Sequence, residues 1–313
     1  MLDPLISIIL PTHNGEMHIS ESIQSIIDQT YSNWELIIVN DCSFDRTQDI
    51  VSNFSDCHSR IRVVNLLKNH KLPGALNVGF NLAKGKYFTW TSDDNVFKQN
   101  AIDVMCKYLE CHNDIDLVYC DWISMDNHGN QLEIKHVKTA DRLPYENVIG
   151  PCFLYKSEIH TQLSGYDENR FLAEDYDFWL RASGKYRLEP LNECLYRYRQ
   201  HEKSLTSLRT KEIVSRSIDV ILTWFDSLKE DKKSHFHEVM LHWGNRAYST
   251  GMSKEGKMML QKYWQLNNSK KLPAGYRSLY IDYYFGIYTG SIVRSIYATL
   301  RSAGIPLINK HRC

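Results

Sequence analysis

The sequence predicts an α/β protein in which a doubly wound, mainly parallel sheet carries helices on both faces. Apolar segments at residues 5–10, 35–40 and 61–66 alternate along the chain with segments of helical periodicity. These segments are apolar at nearly every position, which is typical of strands that are buried on both faces of a sheet. Their alternation with helices favours crossover connections, and therefore parallel strands.

The predicted elements follow in a regular order over the first ninety residues. LISIIL (5–10) is the first strand. The spacing of the isoleucines after this strand predicts a helix over residues 19–29. The later elements are a strand at ELIIVN (35–40), a helix from about Asp45, a strand at IRVVNL (61–66), a helix at 74–83 and a strand at KYFTWT (86–91).

The rest of the chain divides into a mixed part and a helical part. Residues 116–200 predict shorter strands, DLVYCDW and QLEIKHV among them, and a helix at AEDYDFWLRA (173–182). From about residue 207 the pattern is helical only, with helices expected at 211–229, 234–250, 254–266 and 276–302. We therefore predict two regions, 1–206 and 207–313, and expect the second to serve acceptor binding, contact with a membrane surface or formation of a homodimer.

Composition and charge exclude several functional classes. The chain has 37 Lys+Arg and 37 Asp+Glu among 313 residues, so no general nucleic-acid binder is indicated. Its eight cysteines form no CxxC pair, which argues against a disulfide framework or a zinc site. We find no signal peptide and no run approaching the roughly 20 apolar residues of a membrane span. A cytoplasmic protein is expected, with peripheral contact at the inner face of the cytoplasmic membrane as an open alternative, because residues 290–310 are basic and amphipathic.

Polar segments follow three of the predicted strands at the point where each strand ends. PTHN follows the first strand, DCSFDRT the second and SDDN the fourth. Ligands of doubly wound sheets bind beyond the carboxyl ends of the strands. The polar side chains expected to line this one crevice are Thr12, Asp41, Asp93 and Asp94.

The adjacent acids Asp93 and Asp94 repel each other unless a positive charge lies between them and a ligand. Mg²⁺ and Mn²⁺ prefer oxygen ligands, and commonly bind one or two carboxylates together with substrate phosphates. The alternative from the sequence is that Asp93 caps a following helix and Asp94 is solvated.

Three further features bear on this site. Asp41 is placed to accept hydrogen bonds from a nucleotide, or else forms a local turn. Glu174 and Asp175 begin a predicted helix, where one would serve as a general base or both would only offset the helix dipole. The segment YRYRQHEKSLT carries a cluster suited to phosphate charge or to a metal shell, namely Arg197, Arg199, His201 and Lys203.

Four segments, in order and spacing, resemble glycosyltransferase family 2. They are ISIILPTHNGEMHISESIQSIIDQTYSNWELIIVNDCSFDRTQDIV, GALNVGFNLAKGKYFTWTSDDN, GYDENRFLAEDYDFWLRA and LYRYRQHEKSLT, and the resemblance covers roughly residues 4–206. It implies a GT-A fold, a nucleoside-diphosphate sugar as donor, most often a UDP-sugar, a Mn²⁺ or Mg²⁺ ion, and inversion at the anomeric carbon.

The resemblance assigns the nucleotide site to residues of the first two strand ends. By position in the family motifs, Pro11, Thr12 and Asn14 would line the nucleotide pocket. Asp41 would contact the base, which is usually uracil in this family.

The metal site implied by the resemblance consists of acids of the SDDN segment and of His201. Asp94 would bind the metal, Asp93 the ribose or the metal, and His201 the metal or the diphosphate. Many members carry an additional Asp where this chain has Thr91. The division of roles between Asp93 and Asp94 is therefore left open.

The catalytic residues implied by the resemblance lie at the start of the AEDYDFWLRA helix. Asp175 matches the acid that acts as the base, and its neighbour Glu174 would face the acceptor. We expect Trp179 and Tyr166 either to stack on a sugar near the acceptor or to fill the core.

The expected function is that of an inverting glycosyltransferase. It would move a hexose or N-acetylhexosamine from a UDP-sugar to a hydroxyl of a saccharide or lipid-linked saccharide, in surface polysaccharide synthesis of the bacterial type. Transfer to a lipid phosphate is the alternative within the family. Outside it, a nucleotidyltransferase or a catalytically inactive sugar-nucleotide-binding protein would also place acids at strand ends, but the first strand is followed by no basic, glycine-rich phosphate loop.

Overall fold

The computed structural model describes residues 3–202, 204–229 and 236–267, together with residues 233, 272, 273 and 276. Beyond Tyr276, the predicted helix at 276–302 lies outside the described residues, as do the basic segment 290–310 and Lys203. The chain divides into two compact units, Met1–Thr210 and Lys211–Cys313. The roles we expect for the second unit stay predictions.

A mixed sheet of nine strands forms the centre of the first unit. The strand order is β3-β2-β1-β4-β8-β6-β9-β5, and β7 pairs with β6. The strands are β1 (Ile6–Thr12), β2 (Trp34–Asn40), β3 (Ile61–Asn65), β4 (Tyr87–Trp90), β5 (Val96–Phe97), β6 (Leu117–Met125), β7 (Gln131–Lys135), β8 (Phe153–Lys156) and β9 (Leu188–Arg199).

Helices connect most of these strands and continue into the second unit. In the first unit they are α1 (Ile19–Ile27), α2 (Thr47–Cys57), α3 (Lys71–Phe80), α4 (Ala101–Cys111), α5 (Ser157–Gln162), α6 (Glu174–Ser183) and α7 (Leu205–Leu208). Helix α8 (Thr210–Ser227) begins at the boundary, and α9 (His237–Ser249) and α10 (Ser253–Leu266) follow it.

The direction of the strands places the ends of most of them at one edge of the sheet. β1 is parallel to β2 and β4, β2 is parallel to β3, and β6 is parallel to β9. β8 runs antiparallel to both β4 and β6, so β6 and β9 point the same way as β1 to β4. The carboxyl ends of six strands therefore share one edge, where ligands of such sheets bind.

Alternate side chains of β1 pack against helices on opposite faces of the sheet. Ile8 and Leu10 belong to one buried cluster with Ile23 and Ile26 of α1. Ile9 points the other way, toward α3, because side chains alternate along a strand. This arrangement confirms the predicted α/β class with helices on both faces.

Three strands of the sheet were not predicted from the sequence. β5 has only two residues, and β8 has four. β9 has twelve residues, but its first half contains Pro190 and Glu193, and its register with β6 shifts on both sides of Asp121. The bulge and the proline break the alternation of apolar side chains by which a strand is recognised.

In the second unit, α9 and α10 form the helical hairpin predicted around Gly251. Gly251 has φ of +83°, a backbone conformation that glycine adopts without steric cost. Gly256 of α10 lies against the ring of Tyr248 of α9, where a Cβ atom would come within 2.6 Å of Cε2. None of the described helices is long and apolar enough to cross a membrane.

Helix α3 lies so close to the sheet that its Gly79 has no room for a side chain. A Cβ atom there would stand 2.4 Å from Cγ2 of Ile9 and 3.2 Å from Cγ2 of Val39. We expect Gly79→Ala to destabilise the protein by about 1–3 kcal/mol through overpacking. A gain in helix propensity of about 1 kcal/mol reduces this loss only in part.

Chemical denaturation followed by tryptophan fluorescence measures the difference. The matched control is Gly184→Ala, because the nearest heavy atom to a Cβ at Gly184 is 3.8 Å away. We expect that substitution to change stability by at most about 0.5–1 kcal/mol. Equal effects of the two substitutions would contradict the close packing of α3 on β1.

Candidate active site

The loops after β1 and β2 form one side of the site and are tied to each other. Asp41 is 3% exposed, and its backbone N–H donates to the carbonyl oxygen of Thr12 at 2.8 Å. Its Oδ1 accepts a hydrogen bond of 2.7 Å from the backbone N–H of His70. Its Oδ2 accepts no hydrogen bond from any residue that the structure describes. The contact with His70, 29 residues away, replaces the local turn that was the alternative for Asp41.

Asn14 joins the same two loops through its backbone and its side chain. Its φ of 59° is in the left-handed region, which asparagine tolerates better than most residues. Its backbone N–H donates to Ser43 Oγ, and its Oδ1 accepts from the backbone N–H of Phe44. Pro11 is buried in β1, in register with Val39 of β2. Their contact with a nucleotide stays a prediction.

Asp93 is held against the end of β1 by Thr12. Thr12 Oγ1 donates to Asp93 Oδ2 at 2.5 Å, across 81 residues of chain. A Cβ atom on Gly15 would stand 2.3 Å from the same Oδ2 and 2.6 Å from Thr12 Oγ1. Only glycine at position 15 leaves space for this contact. Helix α4 begins at Ala101, so Asp93 caps no helix and that alternative is wrong.

The neighbouring acids have the charge expected of a cation site. Burial, and then the negative charge of Asp94, raise the pKa of Asp93 to about 7. Oδ2 of Asp94 lies 3.0 Å from Nε2 of His201. That separation is about what two ligands with bonds of about 2.1 Å, at right angles on one octahedral ion, would show.

Asp94 and His201 offer a carboxylate oxygen and an imidazole nitrogen, which suit a Mn²⁺ or Mg²⁺ ion that also binds substrate phosphates. Within the described residues, no group of three His, Cys, Asp or Glu side chains could hold a metal ion. An ion bound at this pair would take most of its ligands from a diphosphate or from water.

Thr91 is buried at the position where many family members carry an additional Asp. Thr91 is 1% exposed, and its Oγ1 lies 2.5 Å from the hydroxyl of Tyr196. An aspartate at this buried position would add a third carboxylate beside Asp93 and Asp94, at a considerable desolvation cost.

Arg199, at the end of β9, fixes the segment that carries these acids. Its side chain is buried, its Nε donates to the carbonyl oxygen of Asp94 at 3.0 Å, and one Nη donates to that of Asn127 at 3.0 Å. The other Nη pairs with the carboxylate of Glu21 in α1. The Arg199 guanidinium is therefore occupied within the protein, and its expected role in holding phosphate is wrong.

The opposite side of the site is the start of α6. Asn147 Nδ2 donates to Asp175 Oδ2 at 2.8 Å, and the backbone N–H of Tyr176 donates to Oδ1 at 2.7 Å. Burial raises the pKa of Asp175, and these two hydrogen bonds oppose the increase. Glu174 is 4% exposed, and its Oε2 is buried without a hydrogen-bond partner.

Glu174 is mainly protonated at neutral pH. Burial, and then the negative charge of Asp175, raise the pKa of Glu174 to about 8. The protonated form of Glu174 therefore predominates at pH 7. A charged carboxylate oriented by two donors is suited to accept a proton.

Tyr198 lies near both groups of acids. Burial raises its pKa, and the negative charges of Asp94 and Asp175 also raise it. Both carboxylates therefore lie within electrostatic reach of one phenol group. His201 lies beside Asp94, and Asp93 is the neighbour of Asp94 in the chain.

Several details of the site were left open, missed or wrong in the sequence analysis. Trp179 and Tyr166 are 0% and 2% exposed, so of the two alternatives they fill the core and do not stack on a sugar. The anchoring role of Arg199 and the donor Asn147 were not predicted, because the partners of Arg199 lie 72 or more residues away in the chain and the partner of Asn147 lies 28 residues away. Gly15 was the one residue in the sequence that indicated close packing at this site, because a lone glycine at a strand end often marks close backbone approach.

Comparisons with known proteins agree with this geometry. The model of the family described as "Glycosyl transferase family 2" matches residues 7–173, more than half of the chain. The chain is 29% identical over 227 residues to "UDP-Glc:alpha-D-GlcNAc-diphosphoundecaprenol beta-1,3-glucosyltransferase WfgD" of Escherichia coli, covering 71% of this chain and 87% of that protein.

Two solved structures share the fold at low sequence identity. The S. aureus TarS fragment 1–349 in complex with UDP-GlcNAc has a TM-score of 0.69 and 19% identity, over 94% of this chain and 91% of that one. The mannosyltransferase PcManGT of Pyrobaculum calidifontis, in complex with GDP-Man and Mn²⁺, has a TM-score of 0.61 and 17% identity, over 97% and 87%. The fold is thus the predicted GT-A type, and the chain belongs to glycosyltransferase family 2.

Proposed function

We propose that this protein is an inverting, metal-dependent glycosyltransferase. It transfers a hexose or N-acetylhexosamine from a nucleoside-diphosphate sugar, most often a UDP-sugar, to a hydroxyl of a saccharide or lipid-linked saccharide. The reaction belongs to surface polysaccharide synthesis of the bacterial type. The membership in glycosyltransferase family 2 disfavours the nucleotidyltransferase alternative.

The observation that carries the proposal is that two groups of acids lie near one residue, Tyr198. One group contains Asp94, which together with His201 has donor atoms suited to a cation that also binds a diphosphate. The other contains the oriented carboxylate of Asp175, which is suited to accept a proton. A sugar bound near Tyr198 would be within reach of both groups.

The proposed donor follows from the base contact and from the structural neighbours. Asp41 has one oxygen engaged by His70, and we propose that Oδ2 accepts from the N–H of a uracil base. The TarS fragment binds UDP-GlcNAc, and PcManGT binds GDP-Man with Mn²⁺. These ligands support a nucleoside-diphosphate sugar as donor.

The proposed acceptor follows from the relative in Escherichia coli. The name of WfgD describes a β-1,3-glucosyltransferase that acts on N-acetylglucosamine-diphosphoundecaprenol. By analogy, a saccharide on a lipid carrier is the acceptor we propose here. Such an acceptor would bring the protein to the inner face of the cytoplasmic membrane as a peripheral protein.

The proposed mechanism is a single in-line displacement. The acceptor oxygen forms a bond to C1 of the donor sugar as the bond from C1 to the diphosphate oxygen breaks, and the nucleoside diphosphate leaves with the electron pair. Asp175 takes the proton of the acceptor hydroxyl, which contributes about 10²–10⁴-fold to the rate. Attack opposite the leaving group inverts the anomeric centre.

The proposed cofactor is Mn²⁺ or Mg²⁺, which Asp94, Asp93 and His201 would hold together with the diphosphate. Such an ion neutralises negative charge on the leaving diphosphate. Thr12 holds the Asp93 carboxylate in place by donating to it, and Arg199 holds the backbone of Asp94.

The first test is a screen for nucleoside-diphosphate release with UDP-, GDP- and dTDP-sugars in the presence of Mn²⁺. We expect release from at least one UDP-sugar, and its loss when EDTA removes the metal. Absence of metal-dependent release with every donor would contradict the proposed function. If a lipid phosphate, and no saccharide, served as the acceptor, the alternative of transfer to a lipid phosphate would be favoured.

The second test separates the two acids of α6. Asp175→Asn should lower transfer at pH 7 by at least about 10²-fold, because the proton acceptor is lost, while UDP affinity stays unchanged. Glu174→Gln replaces a carboxyl group that is mainly neutral at pH 7, so it should retain the rate within about tenfold.

The pH profile of transfer provides a further check on this pair. A base must be ionised, so the rate should fall as pH falls through the pKa of Asp175, which burial raises. Glu174→Gln should keep this acid limb, because it leaves the Asp175 carboxylate and its two hydrogen-bond donors in place. A normal rate in Asp175→Asn would show that another group is the base.

The third test concerns the metal shell. Asp94→Asn should raise the Mn²⁺ concentration for half-maximal activity by at least about tenfold, because it removes a charged ligand. Asp103→Asn is the matched control, since Asp103 pairs with Lys107 on the surface of α4. Equal Mn²⁺ requirements in the two variants would contradict the assignment of Asp94.

A further inference from the structure

Two aromatic side chains with no role in the mechanism so far lie side by side at the site. β6 and β9 are parallel, and Trp122 is in register with Tyr196, so Tyr198 lies two residues further along the same face. The rings of Trp122 and Tyr198 are 5.2 Å apart between centroids, with planes at 57°. Each packs one side against the core and keeps part of its surface exposed.

Geometry and charge place this pair near both groups of acids. Tyr198 directly precedes Arg199, whose Nε donates to the carbonyl oxygen of Asp94 at 3.0 Å. Tyr198 also lies within electrostatic reach of Asp94 and Asp175. Its hydroxyl is 3.4 Å from Oγ1 of Thr206, which is exposed. The pair therefore lies near both the proposed metal ligand and the proposed base.

The loop that orients the base also borders Trp122. Gly150 has φ of +68°, and a Cβ atom on it would stand 3.0 Å from Nε1 of Trp122. Three residues earlier in this loop, Asn147 donates to Asp175. Glycine at position 150 thus leaves space beside the polar edge of the indole, and Nε1 of Trp122 donates to no residue in the described part of the chain.

We propose that Trp122 and Tyr198 form a platform on which a pyranose ring of the acceptor lies, with the attacking hydroxyl directed toward Asp175. The apolar C–H face of a pyranose would pack on the rings, and Nε1 of Trp122 would donate to a ring hydroxyl. This inference rests on the proposed function and names the acceptor class at that site.

The charges around the platform distinguish between acceptor classes. Asp94 would be neutralised by the proposed metal ion, but Asp175 keeps a negative charge near Tyr198, and a like charge brought beside it is repelled. The platform therefore selects an uncharged sugar ring over a lipid phosphate as the attacking group. A diphosphate elsewhere in a lipid-linked acceptor would lie away from the platform.

The test measures glycoside binding directly, so it does not depend on turnover. The full chain is titrated with p-nitrophenyl glycosides of glucose, galactose and N-acetylglucosamine by saturation-transfer NMR, with and without UDP and Mg²⁺. We expect wild type to bind at least one of them and Trp122→Ala to bind it at least about tenfold more weakly. Trp122→Phe, which keeps a ring but loses the N–H donor, should lie between the two.

Two controls separate this effect from a loss of structure. UDP affinity should be the same in wild type and in both Trp122 variants. Tyr186→Ala is the matched surface variant, because Tyr186 precedes β9 at the opposite edge of the sheet, where its hydroxyl donates to Gln162. We expect glycoside affinity within about twofold of wild type in that variant, a difference of under about 0.5 kcal/mol.

The possible outcomes decide between the proposals. Unchanged glycoside affinity in Trp122→Ala, or no glycoside bound by wild type although UDP binds, would overturn the platform. Trp122→Phe keeps the test decisive if the alanine variant misfolds and no longer binds UDP. In that case, equal glycoside binding by wild type and Trp122→Phe would also contradict the platform. Failure of wild type to bind UDP would instead contradict the proposed function.

Discussion

The buried guanidinium of Arg199 is the interaction on which the geometry of the site depends. It donates to the backbone of Asp94 and of Asn127 and pairs with Glu21, so it joins the end of β9 to α1 and to two loops. The backbone N–H of Arg199 adds a hydrogen bond of 2.8 Å to the side chain of Asn95. Loss of this side chain would leave buried polar groups without partners, which is strongly destabilising. It would also release the segment that carries the proposed metal ligands.

A second constraint is the concentration of negative charge at one edge of the sheet. The pKa of Asp93 is raised to about 7, and that of Glu174 is also raised, in each case by burial and then by a neighbouring carboxylate. A cation and a diphosphate would relieve the first of these repulsions, and protonation of Glu174 relieves the second. The site is thus built at some expense of stability, which is common where buried acids serve chemistry.

The topology explains how residues from distant parts of the chain come together. One antiparallel strand, β8, lies between β4 and β6, and it lets β6 and β9 continue the sheet in the direction of β1 to β4. The segment after β4 carries Asp93 and Asp94, the acids proposed to bind the donor. Trp122 and Tyr198 lie in β6 and β9, His201 follows β9, and α6 follows β8 with Asp175. The residues proposed for the donor and for the acceptor therefore meet at one edge although they lie in separate halves of the first unit.

The sequence by itself determined the α/β class, the positions of the first four strands along the chain, and the acids that follow these strands. It did so because apolar periodicity and the polar segments at strand ends are local patterns. It also determined the family, through motifs that are contiguous in the chain. Only the tertiary structure decided that Arg199 serves as an anchor, that Trp179 and Tyr166 fill the core, and that Thr91 pairs with Tyr196. These outcomes depend on partners many residues away, and the strand that brings them together, β9, has a bulge and a proline that hide it from local patterns.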